Sequence, residues 1–252
     1  MITDTFDPST KEILKPEDLT GGRKDMKGPV FSVFDEKTEK KAADILDARI
    51  KTKIYSGGII SVYSFIFNGC EMMLLRSPVG GPASVAVLEN ILSRGAETVL
   101  YLGSCGSLDK TITSGKIIIP DRAYRDEGTS YHYMPPSDFI TLSGAEKLEK
   151  LIAARGLPYL KTGTWTTDAI FRETEGNIRD RKEKGCSVAE MECASLMAAA
   201  SYRNADVYHL LYTADCLDES YDIGLLKNAG DITENLIITA VECLMSVHEE
   251  KL

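Results

Sequence analysis

The sequence predicts an α/β domain built on a largely parallel or mixed sheet. Three observations carry this reading. Short apolar runs of strand length alternate with segments of helical spacing, the connections between them are short, and no repeat, low-complexity tract or linker interrupts them. With 252 residues, 43% hydrophobic and 27% charged, one domain with its own core is the simplest division. Residues 1–28 read as a polar, extended N-terminal arm containing Pro8, Pro16, Gly21 and Gly22, and residues 29–252 as the single domain.

In order along the chain, Val30–Phe34 reads as a short buried strand and Glu36–Ala48 as a helix. Ile59–Phe67 and Glu71–Leu75 form a hairpin around Asn68-Gly69, a dipeptide suited to the positive φ of a tight turn. Pro82–Arg94 places Val85, Leu88, Ile91 and Leu92 at helical spacing and ends at Gly95, a suitable C-cap. Thr98–Leu102 is a buried strand, and Lys116–Ile119 is another, stopped by Pro120. Leu142–Arg155 is an amphipathic helix closed by Gly156. Tyr159–Trp165 reads as a strand, Glu175–Lys184 as a charged helix, and Ser187–Met191 as a short strand running into a small-residue helix, Cys193–Tyr202. Val207–Thr213 is an apolar strand and Thr233–His248 a closing helix.

Bulk properties narrow the function. A net charge of −9 argues against a nucleic-acid backbone or an anionic membrane as partner, because both require clusters of Lys and Arg. It leaves room for a small anionic substrate, since nearby charge outweighs the screened total. The six cysteines, Cys70, Cys105, Cys186, Cys193, Cys216 and Cys243, form no CxxC pair, and the histidines are His132, His209 and His248. That pattern offers no structural zinc site and suits a reducing compartment. The acid-bearing first residues lack the apolar core of a signal peptide, and no run of about 18 apolar residues occurs. A cytoplasmic protein without a metal is expected.

Ligands of open α/β sheets bind beyond the carboxyl ends of the strands, and four segments place unusual residues there. They are Val99–Ser107 with Gly103 and Gly106, Val188–Glu192 with Glu190 and Glu192, Leu211–Asp215, and Arg76–Pro82. Each has a plainer reading: a glycine turn of pure geometry, an Asx turn or N-cap at Asp215, a surface ion pair at Arg76. Glu190 and Glu192, two residues apart, share a face if the backbone is extended; otherwise one is solvated and the other caps the following helix. Together, acids and glycines at several strand ends point to a site.

These motifs, in order, are LGSCGSL (Leu102–Leu108), RDEGTSYHY (Arg125–Tyr133), TTDAIFRET (Thr166–Thr174), VAEMECASL (Val188–Leu196) and LLYTADC (Leu210–Cys216). In them the chain resembles the nucleoside phosphorylases of the hexameric purine nucleoside and uridine phosphorylase type, a group that includes the methylthioadenosine nucleosidases. The resemblance spans roughly residues 30–248 and is most specific at AEMECA. It implies a three-layer αβα fold with a central mixed sheet flanked by helices, and a homo-oligomer, a dimer or a trimer of dimers, whose subunits share site residues. It implies nucleoside and phosphate as ligands, with no cofactor beyond inorganic phosphate as co-substrate. Glu192, with Met191 and Glu190, then holds the ribose, Ser104 contacts phosphate, and Cys105, Gly106, Ile170 and Phe171 bind the base. Asp215 falls where purine-cleaving members carry an acid opposite N7.

The chemistry fits those roles. Breaking a ribosyl C–N bond builds positive charge on the sugar and negative charge on the base, so a fixed carboxylate at the hydroxyls and an acid at the base both help. Uridine-specific members read uracil with a Gln and an Arg at positions that here hold Thr174 and Gly176, which favours purine over uridine. The chain departs from the family at phosphate. The Gly-Asp-Pro-x-Arg loop is replaced by Phe34-Asp-Glu-Lys-Thr38, and the arginine two residues before the GSCG segment is Tyr101. A rebuilt anion site would draw on Arg76, Arg125 or Lys37. Phosphorolysis in purine salvage is therefore expected. Uridine phosphorolysis, hydrolysis by a nucleosidase with Asp35 and Glu36 as its acidic loop, and nucleoside binding without catalysis are the alternatives. His132, between two tyrosines, belongs either to the site's edge or to an interface.

Overall fold

The computed structural model describes residues 1–8, 11–112, 114–218 and 234–250. Its first half contains α1 (Pro16–Thr20), β1 (Gly28–Val33), α2 (Glu36–Ile45), β2 (Arg49–Tyr55), β3 (Ile59–Phe67), β4 (Cys70–Arg76), α3 (Gly81–Ser93) and β5 (Ala96–Ser107). The second half contains β6 (Ile117–Asp126), α4 (Ser130–Tyr133), β7 (Phe139–Thr141), α5 (Ala145–Ala154), β8 (Tyr159–Thr167), α6 (Glu175–Glu183), β9 (Cys186–Glu190), α7 (Cys193–Arg203), β10 (Asp206–Cys216) and α8 (Glu234–Glu249). Thr233, the expected start of the last helix, lies outside the described residues.

Strands buried on both faces need apolar residues on both, and β5 meets that requirement. Val99, Tyr101 and Cys105 face one core, with α3 and α7. Leu100 and Leu102 face the other, with α2, α5 and α8. Helices thus cover both sides of a mixed sheet, the three-layer αβα arrangement. The sheet runs β10-β6-β8-β9-β5-β1-β4-β3-β2, with β7 on β6. β5 also pairs in parallel with β10, so β5, β10, β6, β8 and β9 close into a ring. Helix α7 is buried from Cys193 to Ala200. Its small residues let α3 approach so closely that a Cβ at Gly81 would lie 2.3 Å from Ser195 Oγ.

Four expectations are corrected. Pro120 does not stop its strand: β6 continues to Asp126, and Pro120 sits beside a register shift against β8, where strands tolerate a residue without an N–H. Arg49–Tyr55, unassigned from sequence, is an edge strand paired with β3; its alternating Lys and Arg suit an exposed edge. The N-terminal arm is not wholly extended, since Pro16 at N1 opens the helical turn α1. That arm is also tied to the body: the Arg94 guanidinium donates to both Asp25 carboxylate oxygens at 2.6 and 2.7 Å. Finally, β10 runs to Cys216, so Asp215 lies inside a strand rather than in a turn after it.

Candidate active site

The last residues of β10 are out of simple alternation. Thr213 pairs with Cys105 and Asp215 with Gly106, and the shift between them leaves Ala214 as a bulge. A bulge re-aims side chains, and Ala214 and Asp215 both face one cavity of about 580 Å³. Gly106 is what makes room for the acid: a Cβ there would stand 2.9 Å from Asp215 Oδ1 and 3.1 Å from Leu217 Cδ1. On its other side Gly106 pairs with Ala189 of β9. Ala189, Gly106 and Asp215 therefore form a row across three strands, roughly 10 Å wide at ordinary strand spacing.

Just beyond Ala189 the two glutamates divide their work. Glu190 turns toward the start of α7. Its Oε2 accepts from the backbone N–H groups of Glu192 (2.7 Å) and Cys193 (2.6 Å), and its Oε1 accepts from the hydroxyls of Thr166 (2.5 Å) and Thr164 (3.2 Å). Burial raises its carboxyl above the usual range, and these bonds oppose that rise. Glu192 occupies the N-cap position but makes no side-chain cap. Its Oε1 instead accepts from Gly80 N–H at 2.6 Å, across the cavity wall. Gly80, at φ +96°, presents that N–H from a conformation only glycine adopts readily. Burial, and then the charge of Glu190, push the Glu192 carboxyl up to about 8. A group so raised has little solvent to support its charge, so it would gain from ligand hydroxyls.

The structure gathers Ser104, Cys105, Gly106, Ile170, Phe171, Glu190, Met191, Glu192 and Asp215 around the one cavity. Phe171 and Ile170 stand at its mouth, 96% and 53% exposed, beside Val79. Burial, then the charges of Glu190 and Asp215, hold the Cys105 thiol well above its ordinary value, so it is no nucleophile. Sequence reasoning missed Phe34 and Glu173. Counting from Asp168 gave Thr174 and Gly176 the base-edge positions, but Thr174 caps α6 through Asn177 N–H and Gly176 lies within that helix. Glu173, the residue before the cap, faces the cavity instead.

The expected cations are elsewhere. Arg76 does not line the cavity; it pairs with Glu39 (3.4 Å) and Glu36 (3.9 Å). Arg125 donates to Ser130 Oγ (2.8 Å), Pro135 O (2.7 Å) and Ser137 Oγ (2.9 Å). Asp35 caps α2, accepting from Thr38 N–H at 2.8 Å. Tyr101 is wholly buried and stacked between Phe34 and His209, at 5.7 Å from each ring. Burial depresses the His209 imidazole to about 3 and keeps it neutral. Among the described lining residues there are four carboxylates and no Lys, Arg or His. His132 faces a separate cavity with Glu89, Tyr133 and Asp168. Among the described residues no group of three His, Cys, Asp or Glu side chains could hold a metal ion. No described helix is long and apolar enough to cross a membrane.

A ring of strands carrying acids at one end of a mixed sheet, covered by helices on both faces, defines a three-layer α/β architecture with an acidic cavity. The chain belongs to the phosphorylase superfamily, whose family model matches residues 34–243; this superfamily comprises nucleoside phosphorylases and hydrolases. Among curated relatives, it is 28% identical over 155 residues to an uncharacterized protein of Acanthamoeba polyphaga mimivirus, covering 60% of each chain. It is 24% identical over 143 residues to a guanosine phosphorylase of Halorubrum lacusprofundi, covering 53% of this chain and 56% of that one. The matches thus span little more than half of these relatives' lengths. Of solved structures, the purine nucleoside phosphorylase from Toxoplasma gondii in complex with immucillin-H aligns with TM-score 0.73 at 16% identity, covering 90% of this chain and 93% of that chain. A futalosine hydrolase mutant of Helicobacter pylori aligns with TM-score 0.69 at 15% identity, covering 86% and 99%. At those identities the structural likeness speaks for the fold.

Proposed function

We propose that this chain cleaves the N-glycosidic bond of a nucleoside, on the purine side, with Glu192 holding the ribose and Asp215 protonating the leaving base. One observation carries the reading: Asp215, at one end of the Ala189–Gly106–Asp215 row, and Glu192, three residues past its other end, line the same cavity with a side-chain-free glycine between the strands that carry them. Positive charge that grows on the sugar is met by Glu192, and the departing base takes a proton from Asp215. Met191 lies beneath the sugar, and Ile170 and Phe171 cover the base. The described lining holds no Gln or Arg to read a uracil edge, which supports a purine over uracil. The exposed apolar mouth of Val79, Ile170 and Phe171 supports a homo-oligomer in which a second copy covers it.

The acceptor of the ribosyl group is phosphate if the chain acts as the named phosphorylases do, with Ser104 as its lining hydroxyl. Water is the second reading, and the lining favours it: no Lys, Arg or His stands among the described lining residues to hold an anion, Arg76 and Arg125 are engaged elsewhere, and Tyr101 fills a position where phosphorylases place arginine. Base release from inosine, adenosine, uridine and methylthioadenosine, with and without phosphate, tests both. Release that requires phosphate supports phosphorolysis, and release indifferent to phosphate supports hydrolysis. Failure to release base from any of them sinks the catalytic reading.

A further inference from the structure

The loop that follows β6 buries a carboxylate, Glu127, which does not line the cavity. Its Oε2 accepts from Ser130 N–H (3.0 Å) and from the Ser195 hydroxyl (2.5 Å), and its Oε1 accepts from the Ser130 hydroxyl. Three donors converging on one side chain need an acceptor with two oxygens. The loop around it is tied down as well: Arg125 donates to Ser130 Oγ at 2.8 Å, and Gly128 N–H donates to Asp168 Oδ2 at 2.9 Å. Glu127 is therefore a fixed point in the body of the molecule.

Ser195 is where that point meets the site. It is wholly buried in the first turn of α7, three residues after Glu192. A serine there can turn between staggered rotamers or bond back to the preceding turn, and the bond to Glu127 selects one arrangement. In that arrangement Ser195 Oγ stands against Gly81, where a Cβ would not fit, and Thr129 Oγ1 lies 3.3 Å from the same Cβ position. Gly81 opens α3, and Gly80 moves with the helix because Gly80 O accepts from Ser84 N–H at 3.0 Å. Gly80 N–H in turn donates to Glu192 Oε1 at 2.6 Å. The aim of Glu192 thus depends on how α3 seats on α7, and the seat is set at Ser195. We propose that Glu127 is a positioning residue: acting through Ser195, it holds the start of α3 against α7 so that Gly80 N–H fixes the Glu192 carboxyl at the cavity. Its consequence for the substrate rests on the reading that Glu192 holds the ribose.

Amide hydrogen exchange at Gly80 reads the contact without substrate, with Glu192→Ala as the reference for its loss. Glu127→Ala and Ser195→Ala should each speed Gly80 exchange about tenfold, while the amides of β1 and β4 stay within about threefold of wild type. Because Glu127 acts through Ser195, the double variant should exchange no faster at Gly80 than the faster single one. Turnover gives the second readout. In both single variants the ratio of kcat/KM on inosine to that on 2′-deoxyinosine should fall about tenfold, toward the Glu192→Ala value. Unchanged Gly80 exchange in Ser195→Ala would overturn the proposal, and so would additive effects in the double variant. Should Glu127→Ala loosen the whole fold, speeding β1 and β4 as much as Gly80, Ser195→Ala decides. A ratio that falls in Glu192→Ala but in neither of the others would also overturn it. A ratio unmoved even in Glu192→Ala removes the ribose reading instead, and faster exchange at Gly80 still supports the positioning role.

Discussion

Replacing Glu192 by alanine takes away the acceptor of Gly80 N–H, but it also removes an acid that burial keeps from ionising. Those effects on stability oppose each other. We expect Glu192→Ala to melt within about 2 °C of wild type while its kcat/KM on any good substrate falls roughly 10²–10³-fold. Near-normal turnover would mean that the ribose lies elsewhere. Asp215→Asn keeps the shape and loses the transferable proton. Purine release should fall by about 10²–10⁴-fold and pyrimidine release far less, because only the purine route needs a proton at N7; equal losses would undo the assignment. Glu192 was legible in the sequence because the EME junction is distinctive. Glu173 was not, because side-chain direction before a helix cap changes with one residue of register, and counting placed the base-edge contacts at Thr174 and Gly176.

At the scale of elements, the two-residue spacing of Glu190 and Glu192 could not say which carboxylate caps the helix. The answer depends on where β9 gives way to α7, and the structure gives the cap to Glu190. Its four accepted bonds bind the strand, the helix start and β8 together. Glu190→Ala would strand two buried N–H groups, so a loss of about 3 kcal/mol in urea unfolding is expected. An unchanged midpoint would show that water or a neighbour replaces the carboxylate. The same limit explains the strands that sequence reading misjudged. Pro120 is tolerated only because β6 shifts register beside it, and the edge position of Arg49–Tyr55 lets charged residues occupy a strand. Both are properties of the neighbour, not of the segment. The buried runs, such as Thr98–Leu102 and Val207–Thr213, were legible because their apolar residues state their own burial.

For the whole molecule, the α/β class followed from alternating strands and helices and the three-layer arrangement from the resemblance, while the distribution of charge around the cavity followed from neither. That distribution should make stability depend on pH in an unusual direction. Glu192 and Glu173 ionise at about 8 and about 7 when folded, against 4.5 as their ordinary value. Below 4.5 both are neutral in either state. Above it the unfolded chain gives up protons that the folded chain keeps, so stability contributed by the neutral acids is lost as pH rises toward 8. The ligand-free melting temperature should drop on the order of 5 °C between about pH 5 and pH 8. Glu192→Gln should flatten that slope. A melting curve that rises across this range would contradict the assigned shifts.

The strands that carry the two ends of the cavity, β9 and β10, are joined twice: directly through β5, and the long way round through β8 and β6. Moving one end away from the other would break ladder bonds on both arcs of that ring. The span between them is therefore a ruler rather than a jaw. A nucleoside laid along it, on the proposed reading, has to adopt the length the ring dictates, and the bond that gives is its own.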